Sequence, residues 1–429
     1  MDKKDPRYQM YLSILREELL LAMGCTEPAA VAYCAALARS LLNAPEEIRR
    51  CTLSVSGNII KNVKSVVVPN TCGMKGLKTA VAAGASVGDE TAGLQVLSHV
   101  GPSQKPHIQE FLDRCPIEVL PAETPKIFYI EVELFTGCEN ARVVIEDYHT
   151  NVTVMEHNGS ATEQNIQCEN CAVPEEAQTD RAQVNVVDIL DFAETADLMD
   201  VQELLELQIQ CNMAISEEGL RGQWGAQVGR TMMKTAANRY QRAAAAAAAG
   251  SDARMSGCEL PVVIVSGSGN QGLTASVPVI VCAREMGIGK ESTLRALLVS
   301  NLITIHQKTS IGRLSAFCGA TSAGVGAACG IAWLEGGRYC EIAHTIVNSL
   351  AILSGMVCDG AKPSCAAKIA TAVTNGILGY QMFCNGLEFF DGDGIVTKGV
   401  ENTITNIGRL ANRGMRQTDQ EILNIMTGR

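Results

Sequence analysis

Residues 313–334, RLSAFCGATSAGVGAACGIAWL, consist almost entirely of small and apolar side chains, and Cys318 opens the Gly/Ala-rich part of the run. This composition is typical of a buried helix, because small side chains let neighbouring backbones approach closely. The whole chain shares the tendency: of its 429 residues, 47% are hydrophobic and only 4% are aromatic. We therefore expect a core made mainly of tightly packed helices, in a chain long enough for two domains.

Apolar spacing on either side of this run indicates how the rest of the chain folds. Residues 7–22 and 28–43 show the periodicity of helices, and almost everything from residue 186 onward does so too. Between them, alternating or β-branched segments predict a mixed region. Its strands are expected within residues 51–69, 126–135 and 141–148, and its helix at residues 77–88. The predicted fold class is α+β.

We predict three segments from this pattern. Residues 1–48 form N-terminal helices that pack with the helical domain, and residues 49–184 form a smaller mixed α/β domain inserted after them. Residues 185–429 form a large, Ala/Gly-rich, all-helical domain. The polar stretch 156–182 reads as a loop of the α/β domain, and Thr26 as the N-cap of the second helix.

Charge narrows the class of partner. The formal net charge of -11 and the pI near 5.2 argue against a nucleic acid or an anionic membrane surface, since both need a cationic face. The first ten residues, MDKKDPRYQM, lack the apolar segment of a signal peptide, and no run of about 18 apolar residues occurs. We expect a cytoplasmic protein whose partner is a small metabolite. A homodimer is compatible with this expectation.

The chain has 17 cysteines, which is a high count for a reducing compartment where disulfides do not persist. A single free cysteine is usually a small packed hydrophobe, so only spacing and neighbours mark one as functional. Cys168 and Cys171 form a lone CxxC without a second ligand pair at zinc spacing. We interpret them as reduced loop thiols.

Three other cysteines form a stronger pattern. Cys318 begins the small-residue run, while Cys358 and Cys365 flank a bend in MVCDGAKPSC. Three thiolates brought together could hold three irons of a [4Fe–4S] cluster and leave the fourth iron open to substrate. An open coordination position is what makes a catalytic metal a Lewis acid. Spacing alone favours three packed thiols, because the six residues between Cys358 and Cys365 do not match a standard ferredoxin run.

A glycine-rich loop, Gly267 to Gly272 (GSGNQG), follows the apolar run VVIVS and formally matches G-x-G-x-x-G. A dinucleotide site would need a helix next, but Pro278 falls within that segment. The loop is therefore either a plain helix–helix turn or an anion site. In the second case its N–H groups, with Ser268 and Asn270, bind a substrate carboxylate.

Cys25 lies directly before the predicted start of a helix, in GCTEPAA. Unpaired N–H groups and the helix dipole stabilise a thiolate there, so we expect a lowered pKa. Asn70, Thr71 and Lys75 lie in a polar, glycine-flanked turn that suits an amino-acid head group. Cys72, in the same turn, is expected to be structural.

Two further polar residues, His306 and Lys308, immediately precede the first cluster cysteine segment. A solvated helix end would explain both. A charged group close to an open iron could instead hold a carboxylate or move a proton. We include both among the candidate substrate-binding residues.

Several segments together resemble known iron–sulfur enzymes. SIGRLSAFCG, AGVGAACG and MVCDGAKPSC resemble the alpha part of bacterial iron–sulfur L-serine dehydratases, although the last two cysteines are further apart in that family. With GCTEPAA, VPNTCGMKG and SGSGNQG added, nearly the whole chain is similar to the cysteine desulfidases of the serine-dehydratase alpha-chain-like family.

The resemblance implies a role for each of these cysteines. Cys318, Cys358 and Cys365 are implied to bind a [4Fe–4S] cluster, and Cys25 is implied to be catalytic. The expected reaction is elimination of sulfide from L-cysteine, giving pyruvate and ammonia, with no pyridoxal phosphate. L-serine dehydration and a non-catalytic iron–sulfur or metabolite-binding role remain alternatives.

Overall fold

The computed structural model describes residues 1–162, 179–312 and 314–428. The helices are α1 Pro6–Glu18, α2 Thr26–Ser40, α3 Gly57–Val63, α4 Leu77–Val87, α5 Lys105–Arg114, α6 Val186–Thr195, α7 Gln202–Arg221, α8 Val228–Met233, α9 Arg239–Met255, α10 Gly269–Glu285, α11 Lys290–Ile311, α12 Gly319–Leu334, α13 Tyr339–Ile352, α14 Cys365–Cys384, α15 Val400–Arg409 and α16 Arg416–Thr427. The strands are β1 Leu21–Met23, β2 Arg50–Val55, β3 Ile117–Pro121, β4 Tyr129–Phe135, β5 Asn140–Glu146, β6 Val152–His157, β7 Ser160–Ala161 and β8 Pro261–Val263.

The α+β class predicted from the sequence is confirmed, since a mostly helical structure carries a smaller mixed part. In the described chain the larger sheet has the order β3-β2-β4-β5-β6-β7. Strand β2 pairs in parallel with β3, and the other pairs are antiparallel. Alternate residues of β4 are buried, because one face of the sheet is covered by α2.

The two N-terminal helices, α1 and α2, pack mainly against different regions of the protein. Helix α1 packs against α6 and α11 of the helical region, and α2 packs mainly against α4, β4 and β5. The strand between them, β1, pairs with β8. The larger contacts of α1 are thus with the helical region and those of α2 with the α/β region, while the predicted division into three segments stays a prediction.

Two local predictions differ from the structure. Residues 57–63 were expected within a strand but form α3, because Ile59 and Val63, four residues apart, are both fully buried on one helical face. Pro278 was taken as evidence against a helix after the glycine loop. It lies inside α10, which α7, α9, α11 and α12 surround and hold in place.

Helix α12, formed by the small-residue run, lies at the centre of the helical region and contacts α10, α11 and α14. Its glycines set these contacts. A side chain at Gly324 would overlap the carbonyl oxygen of Ala372 in α14, and one at Gly376 would overlap that of Gly324. At Gly326 an added Cβ would lie 2.5 Å from the carbonyl oxygen of Ser300 in α11. Backbone therefore meets backbone, as the composition predicts.

Cys168 and Cys171, interpreted as loop thiols, lie outside the described residues, so that interpretation stays a prediction.

Among the described residues, no helix has the length and apolarity needed to cross a bilayer.

We predict that Gly324→Ala destabilises the protein. Helix propensity alone would favour alanine by about 1 kcal/mol, but overpacking against a carbonyl that cannot move costs about 1–3 kcal/mol. The control is Gly101→Ala, where the nearest atom to an added Cβ is 3.9 Å away. Denaturant unfolding should show a lower midpoint for Gly324→Ala and a change within about 0.5 kcal/mol for the control. Equal stability of both variants would contradict this account of the helix crossing.

Candidate active site

The predicted cysteines meet at a cavity of about 90 Å³. Helices α2, α10, α12 and α14 all begin at its wall. Cys25 is the N-cap of α2, Ser268 that of α10 and Cys318 that of α12, while Cys365 is the first residue of α14. The polar and thiol side chains that line it are Cys25, Glu27, Asn62, Arg254, Ser268, Asn270, Gln271, Lys308, Ser315, Cys318, Cys358 and Cys365.

The ends of these helices give the cavity a positive character. In none of the four, all within the described chain, does the N-cap side chain accept a hydrogen bond from the helix. Each N-terminus carries a partial charge of about +0.5, and its first N–H groups need acceptors. The cavity is therefore suited to anionic groups.

Local pairing brings Cys318 and Cys358 together. Phe317 and Val357 form an isolated antiparallel bridge. The Cys318 N–H donates to the Met356 carbonyl, and the Cys358 N–H to the Ala316 carbonyl, each at 2.7 Å. This places two cysteines forty residues apart in sequence side by side.

A sharp bend then returns Cys365 to the same wall. Gly360 in this bend has φ +95°, and a side chain there would overlap the carbonyl oxygen of Lys61. Glycine is needed on both counts. The bend in MVCDGAKPSC predicted from sequence is thus the feature that joins the third thiol to the first two.

Backbone N–H groups near the three sulfur atoms favour their thiolate forms: that of Ala320 acts on Cys318, that of Gly360 on Cys358 and that of Lys362 on Cys365. Burial opposes this effect and raises the pKa of Cys365. The Cys365 thiol donates to the Gly360 carbonyl at 3.7 Å.

The three thiols differ in how readily they lose their protons. The interaction between the Cys318 and Cys358 thiols lowers the pKa of Cys358 and raises that of Cys318. Lys61 and Lys368 lower the pKa of Cys358 further. One thiolate is therefore already favoured in this group.

The three thiols fit an iron–sulfur cluster better than a single metal ion. Within the described ranges, no three His, Cys, Asp or Glu side chains are grouped so as to hold one ion. A [4Fe–4S] cluster attaches each thiolate to a different iron, so its ligands need not converge on one point. Cys318, Cys358 and Cys365, with amide donors and nearby lysines, are a donor set of the kind such a cluster takes.

Cys25 is held differently from the expectation. Its thiol donates to Glu27 Oε2 at 3.1 Å, and Glu27 Oε1 accepts from Asn62 Nδ2 at 3.1 Å. Burial, followed by the charge of Glu27, raises the pKa of Cys25 well above its usual value. The predicted lowering of this pKa is therefore wrong, because desolvation and a neighbouring carboxylate outweigh the helix dipole. The N-cap is also Cys25 rather than Thr26.

The glycine loop lies at the cavity as the second interpretation required. Ser268 and Asn270 both line it, and α10 begins within the loop at Gly269. Gly272 lets α10 approach β8, since a side chain there would overlap the Val263 carbonyl. The Thr26 hydroxyl donates to the Gly267 carbonyl at 3.0 Å, which ties the loop to α2.

Sequence reasoning missed Arg254, which lines the cavity with only 2% of its surface exposed. Its Nη1 donates to Asn270 Oδ1 at 3.1 Å. The available signal was a single arginine in the small-residue stretch that ends α9. Glu27 was missed as well, although it is adjacent to the quoted Cys25 motif.

The turn of Asn70, Thr71 and Lys75 does not line this cavity. Asn70 Nδ2 donates to the Leu97 carbonyl and Thr71 Oγ1 to the Val68 carbonyl, each at 2.7 Å. These side chains hold the turn, whose neighbour Pro69 fills the space that a side chain at Gly24 would occupy. The turn therefore supports the chain just before Cys25, and substrate contact by its residues stays a prediction.

Of His306 and Lys308, only Lys308 lies at the cavity. His306 Nε2 lies 2.7 Å from Glu401 Oε2, away from the cavity. Lys308 lines the cavity and donates to the Gly312 carbonyl at 2.6 Å. Lys308 and Leu314 also line a neighbouring cleft of about 620 Å³.

The sequence matches a known protein family and several known proteins. Residues 91–424 match the family model described as serine dehydratase alpha chain. The chain belongs to this family. Three similar proteins bear the name UPF0597 protein. That of Desulfitobacterium hafniense is 54% identical, over 99% of this chain and 98% of its own length. That of Finegoldia magna is 46% identical, over 97% of this chain and 99% of its own length, and that of Fusobacterium nucleatum is 41% identical, over 99% and 100%.

We predict that Cys25 in the cluster-free protein reacts slowly with iodoacetamide at pH 8. Its thiol is buried and hydrogen-bonded to Glu27, so little of it is thiolate. Mass spectrometry of labelled peptides should show the exposed Cys72, Cys138, Cys340 and Cys384 labelled well before Cys25. Labelling of Cys25 as fast as that of Cys340 would contradict the arrangement described.

Proposed function

We propose that this serine dehydratase alpha-chain family member is a [4Fe–4S]-dependent lyase that eliminates sulfide from L-cysteine. The products are pyruvate, ammonia and hydrogen sulfide. The observation that carries the proposal is the meeting of Cys318, Cys358 and Cys365 with Cys25 at one cavity, where four helices begin. Membership of a dehydratase family supports a lyase.

The three thiols would hold the cluster, and when bound it supplies a Lewis acid that draws electrons from the leaving group. The chain's own residues do the rest. Asn270 and the first N–H groups of α10 bind the substrate carboxylate. This orients the Cα–H bond toward Cys25 on the facing helix.

Cys25 and Glu27 together supply the base. Because the thiol already donates to Glu27, its proton passes to the carboxylate and leaves a thiolate. The thiolate takes the Cα proton, the C–H electron pair forms the C=C bond, and the C–S bond breaks with sulfur keeping its pair. The aminoacrylate released reacts with one water to give pyruvate and ammonia.

L-serine dehydration is the second candidate, because the family is described by that activity. The same residues would act, with hydroxide leaving in place of sulfide. Steady-state rates with L-cysteine and L-serine, measured anaerobically on one preparation, separate the two. A strong preference for L-serine would replace our proposal, and release of neither sulfide nor pyruvate would leave a non-catalytic binding role.

We predict that Cys358→Ala loses the cluster. Anaerobically purified wild type should contain iron and acid-labile sulfide and release sulfide from L-cysteine, whereas the variant should have little of either and no activity. Cys340→Ala, which removes an exposed thiol, serves as the control and should match wild type. A reconstituted wild type without bound iron would remove the basis of the mechanism.

We predict that Cys25→Ala keeps its iron but slows the reaction by about 10²–10⁴-fold, the usual contribution of a general base. Glu27→Gln should slow it too, since the amide cannot take the thiol proton. Cys34→Ala, at a fully buried position of the same helix, is the matched control and should retain wild-type kcat. Iron content and the rate of sulfide release are the measurements. Wild-type kcat in Cys25→Ala would assign the base elsewhere.

A further inference from the structure

Arg254 is a buried cation that forms no ion pair with any residue the structure describes. It is 2% exposed and lies in the last turn of α9. Its described contacts include one side-chain hydrogen bond, from Nη1 to Asn270 Oδ1 at 3.1 Å. Its Nε has no hydrogen-bond acceptor among the described residues, and no ion pair described for this chain includes it. A guanidinium has five N–H donors, so most of its capacity is left for a ligand.

A charge in this position is costly to the fold. Taking an arginine out of water without a carboxylate partner is strongly unfavourable, and buried charges are normally paired. The helix N-termini at the cavity carry partial charges of the same sign as Arg254, whereas the C-terminal end of α9, where Arg254 lies, carries the opposite sign. An anion bound in the cavity would relieve both.

The packing around Arg254 aims it at the cavity. A side chain at Gly269 would overlap Arg254 Nε, so glycine is what lets the guanidinium lie on the first turn of α10. The hydrogen bond from Arg254 occupies Asn270 Oδ1 and so turns the amide nitrogen of Asn270 away from it. That nitrogen lies 3.6 Å from Met255 Sδ, a weak acceptor, and keeps donor capacity.

We propose that Arg254 binds the α-carboxylate of the substrate and positions Asn270 as a second donor to it. A guanidinium and a carboxylate form paired hydrogen bonds that an amide or an amine lacking the carboxylate cannot reproduce. The site therefore selects free α-amino acids over amino-acid amides and decarboxylated amines. The choice of an amino acid as ligand rests on the lyase proposal; the unpaired arginine does not.

Binding of an unreactive amino acid tests this directly. L-alanine has no leaving group, and L-alaninamide differs from it only in lacking the carboxylate. Isothermal titration of the full-length protein, with and without reconstituted cluster, should show that wild type prefers L-alanine. In Arg254→Gln, affinity for L-alanine should fall by about 30-fold or more, and the preference over L-alaninamide should approach unity. Arg254→Lys should recover part of it.

The matched control is Arg295→Gln, which removes a half-buried arginine that binds the carbonyls of Ala193 and Ala196. This variant should keep the preference for L-alanine. Without ligand, Arg254→Gln should melt at or above the wild-type temperature, since it removes an unpaired charge, whereas Arg295→Gln should melt below it. A structural role for Arg254 would reverse that order.

Each remaining outcome decides one proposal. A wild type that binds both ligands equally or neither, or an Arg254→Gln variant that keeps the preference, overturns the carboxylate site. Dependence on Arg254 only when the cluster is present would mean that it balances cluster charge, and also overturns it. An Arg254-dependent preference in a protein that releases neither sulfide nor pyruvate from L-cysteine would sink the lyase proposal and leave the site standing.

Discussion

Four helices that begin at one small cavity, none capped by its N-cap side chain, impose the constraint on which this structure depends. Their like partial charges repel, and their first N–H groups need acceptors. Sulfur atoms and the Glu27 carboxylate line the cavity as acceptors, and the cavity has room for anionic ligands. A thiolate-bound cluster and a substrate carboxylate are both of that kind, so the electrostatic demand of the fold and the proposed chemistry coincide.

Close backbone contact is what makes this convergence possible. Gly324 and Gly376 let α12 and α14 cross with carbonyl against Cα, so Cys318 and Cys365, at the beginnings of these helices, are brought to one wall. Bulkier residues would separate the helices and the thiols together. The Ala/Gly content of the chain is therefore a condition for the site as well as for the core.

The site also shows how burial changes the chemistry of a helix terminus. A cysteine at an exposed N-terminus is a good thiolate, but Cys25 is buried against Glu27 and keeps its proton. Reactivity then depends on transfer to that carboxylate rather than on the thiol alone. The charge of Arg254, which is buried nearby, acts to lower the Cys25 pKa and so opposes the effect of burial and Glu27.

The sequence by itself determined the α+β class, the helical periodicity, the small-residue core and the cysteines worth testing, because these depend on composition and on neighbours along the chain. It misjudged residues 57–63 and the interior Pro278, where packing by distant helices outweighs local preference. The partners of polar side chains were decided only in three dimensions. Asn70 binds a backbone carbonyl and His306 pairs with Glu401, whereas Arg254 lies at the cavity without an ion-pair partner among the described residues. Hydrogen bonds act over about 3 Å, and sequence spacing does not state which distant groups come that close.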